Sequence, residues 1–528
     1  MPEPSRHLEV ERKFDVPDST VTPSFEGIAT VGRVEKLPTQ SLDATYFDTP
    51  SQDLARNNIT LRRRTGGHDA GWHLKLPAGP DTRTEIRTPL GSTNDDTMPS
   101  ELLDVVLAIV RDRPLKPVAR ITTQREGQVL FSIEGAPFAE FSNDHVRAWA
   151  ENATDHPDSK PVVQEWREWE LELDESRGEA DTELLSRLSN RLLDAGGQPA
   201  NHASKLARVL GTTEPTNGAQ PPEDPVQRAI AEQIDELLVW DRAVRADVYD
   251  SVHQMRVTTR KIRSLLKDAQ AGMSDDTHAW VLDELRELAG ILGVARDAEV
   301  LAQRYEQELD RLSPELVRGP VRERLVEGAK RRYQSGLRRS LIAMRSLRYF
   351  RLLDALDSIV AESPVTATGE QPPPVTIDAA YKKVRKAAKA AAQVDEAAHA
   401  AQEEHPEPSA DAEDHDDEEH DRDEEHDRDE ALHVIRKRAK RLRYTAAATG
   451  AEDVSKQAKA IQSLLGDHQD SVVSREHLIQ QADAAYAAGE DTFTYGLLYQ
   501  QEADLAESCR QQLDEALRKL DKSVKKAR

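Results

Sequence analysis

From Met1 to about Leu210 the chain is built from short runs of alternating apolar and polar side chains, broken by Gly, Pro, Asn and Asp, and this predicts strands. The first, HLEVERKF, spans residues 7–14. Side chains on a strand alternate between faces, so His7, Glu9, Glu11 and Lys13 share one face, and Leu8, Val10, Arg12 and Phe14 the other. ITLRRR and WHLKLP, joined by the glycine-bearing loop TGGHDAG, form a strand pair with Arg62 and Arg64 on one parity and His73 and Lys75 on another. TRTEIRT aligns Arg83, Glu85 and Arg87; VARITTQREG carries Arg120 and Arg125; PFAEFSNDHVRA aligns Glu140 and Asp144; EWREWELEL aligns Glu168, Glu170 and Glu172.

The pattern then changes. Residues 211–225, GTTEPTNGAQPPEDP, have no apolar period and read as a linker. Beyond them Val226, Ile230, Ile234 and Leu237 begin helical spacing, which continues almost to the end apart from a proline-rich break at 366–375. This half repeats itself. His253, Arg256, Arg260 and Arg263 recur as His433, Arg436, Lys440 and Arg443 at the same offsets. Each basic stripe lies one residue after an apolar one: Val252, Met255, Thr259 and Ile262 in the first copy, Leu432, Ile435, Ala439 and Leu442 in the second. LGVARD at 292–297 and LGDHQD at 465–470 follow their respective copies, so two helical bundles related by duplication are expected.

A length of 528 residues calls for more than one domain. The net charge of −25 is concentrated, because residues 403–430 hold 17 acids and two arginines. Such a run predicts a disordered acidic insertion. A single cysteine excludes an internal disulfide framework, and no apolar run reaches the length of a membrane span or signal peptide. A cytoplasmic protein without a membrane partner is therefore expected. The basic helices interleave few aromatics, so no specific nucleic acid is expected either.

One charged strand face can simply meet water. Acids in the first and last strands with basic residues between them would instead surround one shared space if the sheet closed, and charges inside a barrel need partners. A phosphate chain bridged by a divalent cation supplies both. Residues 5–210 resemble a CYTH domain of the triphosphate tunnel metalloenzymes through ExExK (Glu9, Glu11, Lys13), LRRR, the Lys of HLKLP, RTE, TQR, the Asp of FSNDHV, WELEL and SKL. The resemblance implies an eight-stranded antiparallel tunnel that hydrolyses a terminal phosphoanhydride with Mg²⁺ or Mn²⁺. It implies metal ligands at Glu9, Glu11, Asp144, Glu170 and Glu172; these and Lys13 form the catalytic set. Phosphate ligands are implied at Lys13, Arg62, Arg64, Lys75, Arg120, Arg125 and Lys205.

Residues 226–520 resemble a CHAD domain in their two HxxRxxx(R/K)xxR helices and two LGxxxD motifs. That resemblance implies polyphosphate binding in a basic cleft between two bundles, with His253, Arg256, Arg260, Arg263, His433, Arg436, Lys440 and Arg443 as ligands. The expected protein is a multidomain α+β chain, a β tunnel followed by an all-α duplicated half, acting as an inorganic triphosphatase that also binds polyphosphate. The alternatives are a non-catalytic polyphosphate binder, or a tunnel serving thiamine triphosphate hydrolysis or a class IV adenylate cyclase-like reaction.

Overall fold

The computed structural model describes residues 5–79, 81–91, 98–151, 162–174, 182–211, 225–268, 275–361, 376–404 and 415–527. Most of the expected linker and the 366–375 break therefore lie outside the described residues. The chain divides into two compact units: Met1–Gly293 with Leu337–Pro364, and Val294–Gly336 with Val365–Arg528.

The first unit begins with β1 (Ser5–Val16), β2 (Arg33–Lys36), β3 (Gln40–Asp48), α1 (Asp53–Arg56), β4 (Thr60–Thr65), β5 (Gly71–Gly79) and β6 (Thr82–Pro89). It continues through α2 (Ser100–Val110), β7 (Lys116–Phe131), β8 (Pro137–Ala150), β9 (Val163–Leu173), α3 (Thr182–Asp194), β10 (Gln198–Pro199) and α4 (Lys205–Leu210). Eight strands run antiparallel in the order β1-β6-β5-β4-β3-β7-β8-β9, and β9 pairs back onto β1, so the barrel is closed. The short β2 and β10 add to β7 and β1.

This barrel is greasy outside and ionic inside. Val10, Phe14, Phe141, Trp169 and Leu171 pack outward beneath α3, which supplies Leu184, Leu185, Leu188 and Leu192. Tyr46 belongs to the second cluster, in which Ala119, Ile121, Val146 and Ala148 meet Leu206 and Val209 of α4. The turn between β4 and β5 needs Gly66: its φ is +79°, and a Cβ there would stand 2.1 Å from the Ser41 carbonyl oxygen.

The same unit includes α5 (Pro225–Arg245), α6 (Ser251–Asp268), the start of α7 (Asp275–Arg311), the end of α8 (Gly328–Ala343) and α9 (Leu347–Ala361). α2 packs on α5. Arg111, just beyond α2, is buried and forms ion pairs with Asp354 and Asp357 of α9. Its backbone, at φ 59° and ψ −126°, occupies a region that favours glycine.

The second unit holds the rest of α7 and α8, with α10 (Ile377–Glu404), α11 (His415–Ala448), α12 (Glu452–Ala487) and α13 (Phe493–Ala527). Val384, Ile435, Leu442, Ile461 and Leu520 join α10 to α13 in one core; Tyr305, Leu325, Leu478, Tyr495 and Leu498 form another. The acidic insertion departs from the expected disorder. α10 reaches Glu404 and α11 starts at His415; residues 405–414 lie outside the described residues.

Candidate active site

Strand parity and register assemble the site. Glu9, Glu11, Lys13, Arg62, Arg64, Lys75, Arg125, Glu170, Glu172 and Lys205 line one open-ended cavity inside the barrel. Among the described lining residues, eight are cationic and five acidic. A surplus of positive charge in a polar cavity suits a polyanion.

The cations are held by an internal carboxylate frame. Lys75 Nζ lies 2.5 Å from Glu9 Oε2 and 4.0 Å from Glu85 Oε1. Glu85 is fully buried, lies opposite Lys75 in the β5–β6 register, and also approaches His73 at 2.9 Å and Arg62 at 3.7 Å. Arg62 donates to the Tyr46 hydroxyl, and Arg64 pairs with Asp69. Burial, Arg62 and Arg125 together bring the Arg64 guanidinium down to about 9.

The acids fall into two groups. In the first, Glu11 lies opposite Glu172 in the β1–β9 register, and the same row continues to Glu140 on β8. Burial disfavours ionising Glu11, yet Lys13, 2.5 Å away, and Lys75 hold it down at about 2. Glu172 has less support: among the described residues no hydrogen bond or ion pair ends on it, and burial followed by Glu9 and Glu11 outweighs the opposing pull of Lys75 and pushes it up to about 8. Like charges directly opposite on neighbouring strands are destabilising. Glu172 alone of the three lacks a direct partner among the described residues, and with Glu9 and Glu11 it offers the all-carboxylate donor chemistry that Mg²⁺ or Mn²⁺ takes.

In the second group, Asp144, Glu168 and Glu170 bring carboxylate oxygens within 4.8 Å of one another. Lys205, at the start of α4, stands 3.0, 2.6 and 2.7 Å from them. Arg125 adds two hydrogen bonds to Asp144, at 2.8 and 2.7 Å, and one to Glu170 at 2.5 Å.

Two expected residues stand elsewhere. Asp144 is buried behind Arg125 and does not line the cavity. Arg120 is on the outer surface, pairing with Asp43 at 2.6 Å and lying over Trp149, because Ile121, Thr123 and Arg125 take the inward parity of β7. The cavity also includes Arg83, Arg87, Tyr46 and Asp69, while Glu85 and Glu168 brace its cations. Alternation in TRTEIRT and EWREWELEL already placed the arginines and glutamates on shared faces; nothing in the sequence marked Tyr46.

The two basic stripes flank buried ones as expected. Val252, Met255, Thr259 and Ile262 of α6, and Leu432, Ile435, Ala439 and Leu442 of α11, are buried. His253, Arg256 and Arg263 are half-buried and Arg260 is exposed; Arg436, Lys440 and Arg443 are half-buried and His433 is exposed. Each copy adds a detail. A Cβ at Gly293 would meet the Arg256 guanidinium at 3.5 Å, and one at Gly466 would meet that of Arg436 at 3.5 Å. The glycine of each LG motif thus leaves the bed on which the arginine of the preceding motif lies.

Comparison with known proteins agrees with this division. The CYTH domain family matches residues 7–206, and the CHAD domain family residues 228–479. Uncharacterized proteins of two Mycobacterium tuberculosis strains are each 68% identical over 533 residues, covering 100% of this chain and 99% of the relative. Among solved structures, PptA from Streptomyces chartreusis aligns at 19% identity and a TM-score of 0.42, over 57% of this chain and 100% of its own. The CHAD domain from Ricinus communis aligns at 22% identity and a TM-score of 0.36, over 56% and 90%. Among the described residues no helix is long and apolar enough to cross a membrane.

Proposed function

The chain belongs to the CYTH and CHAD families, and from that premise we propose that its barrel hydrolyses inorganic triphosphate or the end of a polyphosphate chain with Mg²⁺ or Mn²⁺, while its helical half binds polyphosphate. The observation carrying the reading is the cavity itself: cations from β1, β4, β5, β6, β7 and α4 converge inside a closed barrel beside a carboxylate row in which Glu172 has no direct cationic partner among the described residues. Phosphoryl transfer asks chiefly for positioning and charge neutralisation.

Glu9, Glu11 and Glu172 would hold the divalent cation, which supplies neutralisation of phosphate oxygens and a polarised water. Lys13, Arg62, Arg64, Lys75 and Arg125 face the phosphates, joined by Arg83 and Arg87. Glu85 keeps Lys75, Arg62 and Arg87 in place, so phosphates meet donors already oriented. Asp144 orients Arg125 and Lys205 from behind. In the helical half, His253, Arg256, Arg260 and Arg263 of α6, and His433, Arg436, Lys440 and Arg443 of α11, contact polyphosphate.

The test is phosphate release from inorganic triphosphate, long polyphosphate, ATP and thiamine triphosphate, with each metal. Inorganic triphosphate should be cleaved and chelation should stop the reaction. Glu9→Gln and Glu11→Gln should lower turnover by roughly 100-fold or more, the scale of losing one preorganised electrostatic interaction, without unfolding the chain. Retention on a phosphate-chain resin without release from any substrate would replace hydrolysis with binding alone.

A further inference from the structure

We infer that the Lys205 ammonium is a built-in substitute for a second metal ion, so that the tunnel takes one divalent cation, at Glu9, Glu11 and Glu172. This rests on the metal-dependent reading above and adds to it a number and a place.

The two acidic groups differ in what already touches their oxygens. At Asp144, Glu168 and Glu170 every carboxylate oxygen is engaged. Arg125 Nε and Nη2 donate to the two oxygens of Asp144, and Nη2 also to Glu170 Oε2. Lys205 reaches Asp144 Oδ2, Glu168 Oε1 and Glu170 Oε1 at 3.0, 2.6 and 2.7 Å. The indole of Trp166 donates to Glu168 Oε2 at 2.6 Å. An ammonium at those distances from three carboxylates occupies the position where a metal would bind, and its side chain is only 9% exposed. A divalent ion could enter only by expelling a buried ammonium from three acids, leaving that charge without partners, which is costly.

The first group is only partly engaged by the same measure: Glu9 meets Lys75 and Arg87, and Glu11 Oε1 meets Lys13 and Arg83, but among the described residues no ion pair or hydrogen bond ends on Glu11 Oε2. Glu172 receives none among the described residues, although Glu11 stands directly opposite it. The protein thus completes one acidic site covalently and leaves the other to be completed by an ion. The α4 N-terminus fixes the choice: Ser204 caps the helix by accepting from the Ala207 amide at 3.1 Å, which anchors the backbone of Lys205 at the tunnel wall.

The experiment counts Mn²⁺ bound to the full chain, without substrate, by equilibrium dialysis and electron paramagnetic resonance. Sites on the acidic segment are common to every variant and subtract out. Glu172→Gln should lose one ion per chain, Asp144→Asn should lose none, and Lys205→Met should gain one, which adding Asp144→Asn removes. Melting curves guard against misfolding: Lys205→Met should be destabilised without metal and recover with Mn²⁺ more than wild type does. Loss of an ion in Asp144→Asn, or no gain in a folded Lys205→Met, overturns the built-in substitute while leaving metal dependence standing. No difference between wild type and Glu172→Gln overturns both.

Discussion

At the scale of the residue, Glu172 and Arg120 separate what parity reveals from what register reveals. Alternation along WELEL placed Glu172 inside, but that it would face Glu11 is set by how β9 pairs with β1, strands more than 150 residues apart in sequence. A carboxyl raised to about 8 in the folded chain retains a proton that the unfolded chain has released, so between roughly pH 4.5 and 8 the folded state binds more protons. Stability of the metal-free protein should consequently fall as pH rises through this window. Melting curves from pH 5 to 8 should show the decline, with Glu172→Gln flattening it and Mg²⁺ opposing it as the ion displaces the proton. Arg120 and Arg125 give a second comparison. Both were legible as cations on one strand, yet they are five residues apart, an odd offset, and so face opposite ways. Arg125→Ala should raise KM for triphosphate by about 10- to 100-fold, the range for charge-assisted hydrogen bonds, whereas Arg120→Ala should leave KM within about twofold.

At the scale of the element, the duplicated helices were legible because their apolar and basic stripes keep one register in both copies, and that periodicity is local. The partner of each arginine was not, since it lies on the next helix. Gly293 and Gly466 stand in the repeated LG motifs, but what they are for emerges only when Arg256 and Arg436 are seen lying over them. A methyl group at Gly466 makes an ordinary contact, so Gly466→Ala should keep polyphosphate affinity and stabilise α12 by up to about 1 kcal/mol. Gly466→Leu should displace the guanidinium and weaken polyphosphate binding as much as Arg436→Ala does. Titration calorimetry of the full chain with a defined polyphosphate checks both; equal affinity in all three variants would remove Arg436 from the binding surface.

At the scale of the whole molecule, composition announced two classes of structure, strands and then helices, but not which parts pack as one. The first compact unit takes in the barrel and helices on the far side of residue 225, joined through α2 on α5 and Arg111 on α9. Arg111→Ala should lose both ion pairs and keep the unfavourable backbone; Arg111→Gly loses the same pairs but relieves it, and should be the more stable variant by about 1 kcal/mol in denaturant melts. That joint bears on heredity and on the bench alike. A chain can exchange modules freely only where the cut leaves each piece a finished surface, and a cut at residue 225 would leave α5 and α9 bare where α2 and Arg111 cover them. Recombination there would ask the new neighbour to supply a matching face at once, so in this chain the barrel and the helices it packs on are expected to be purified together.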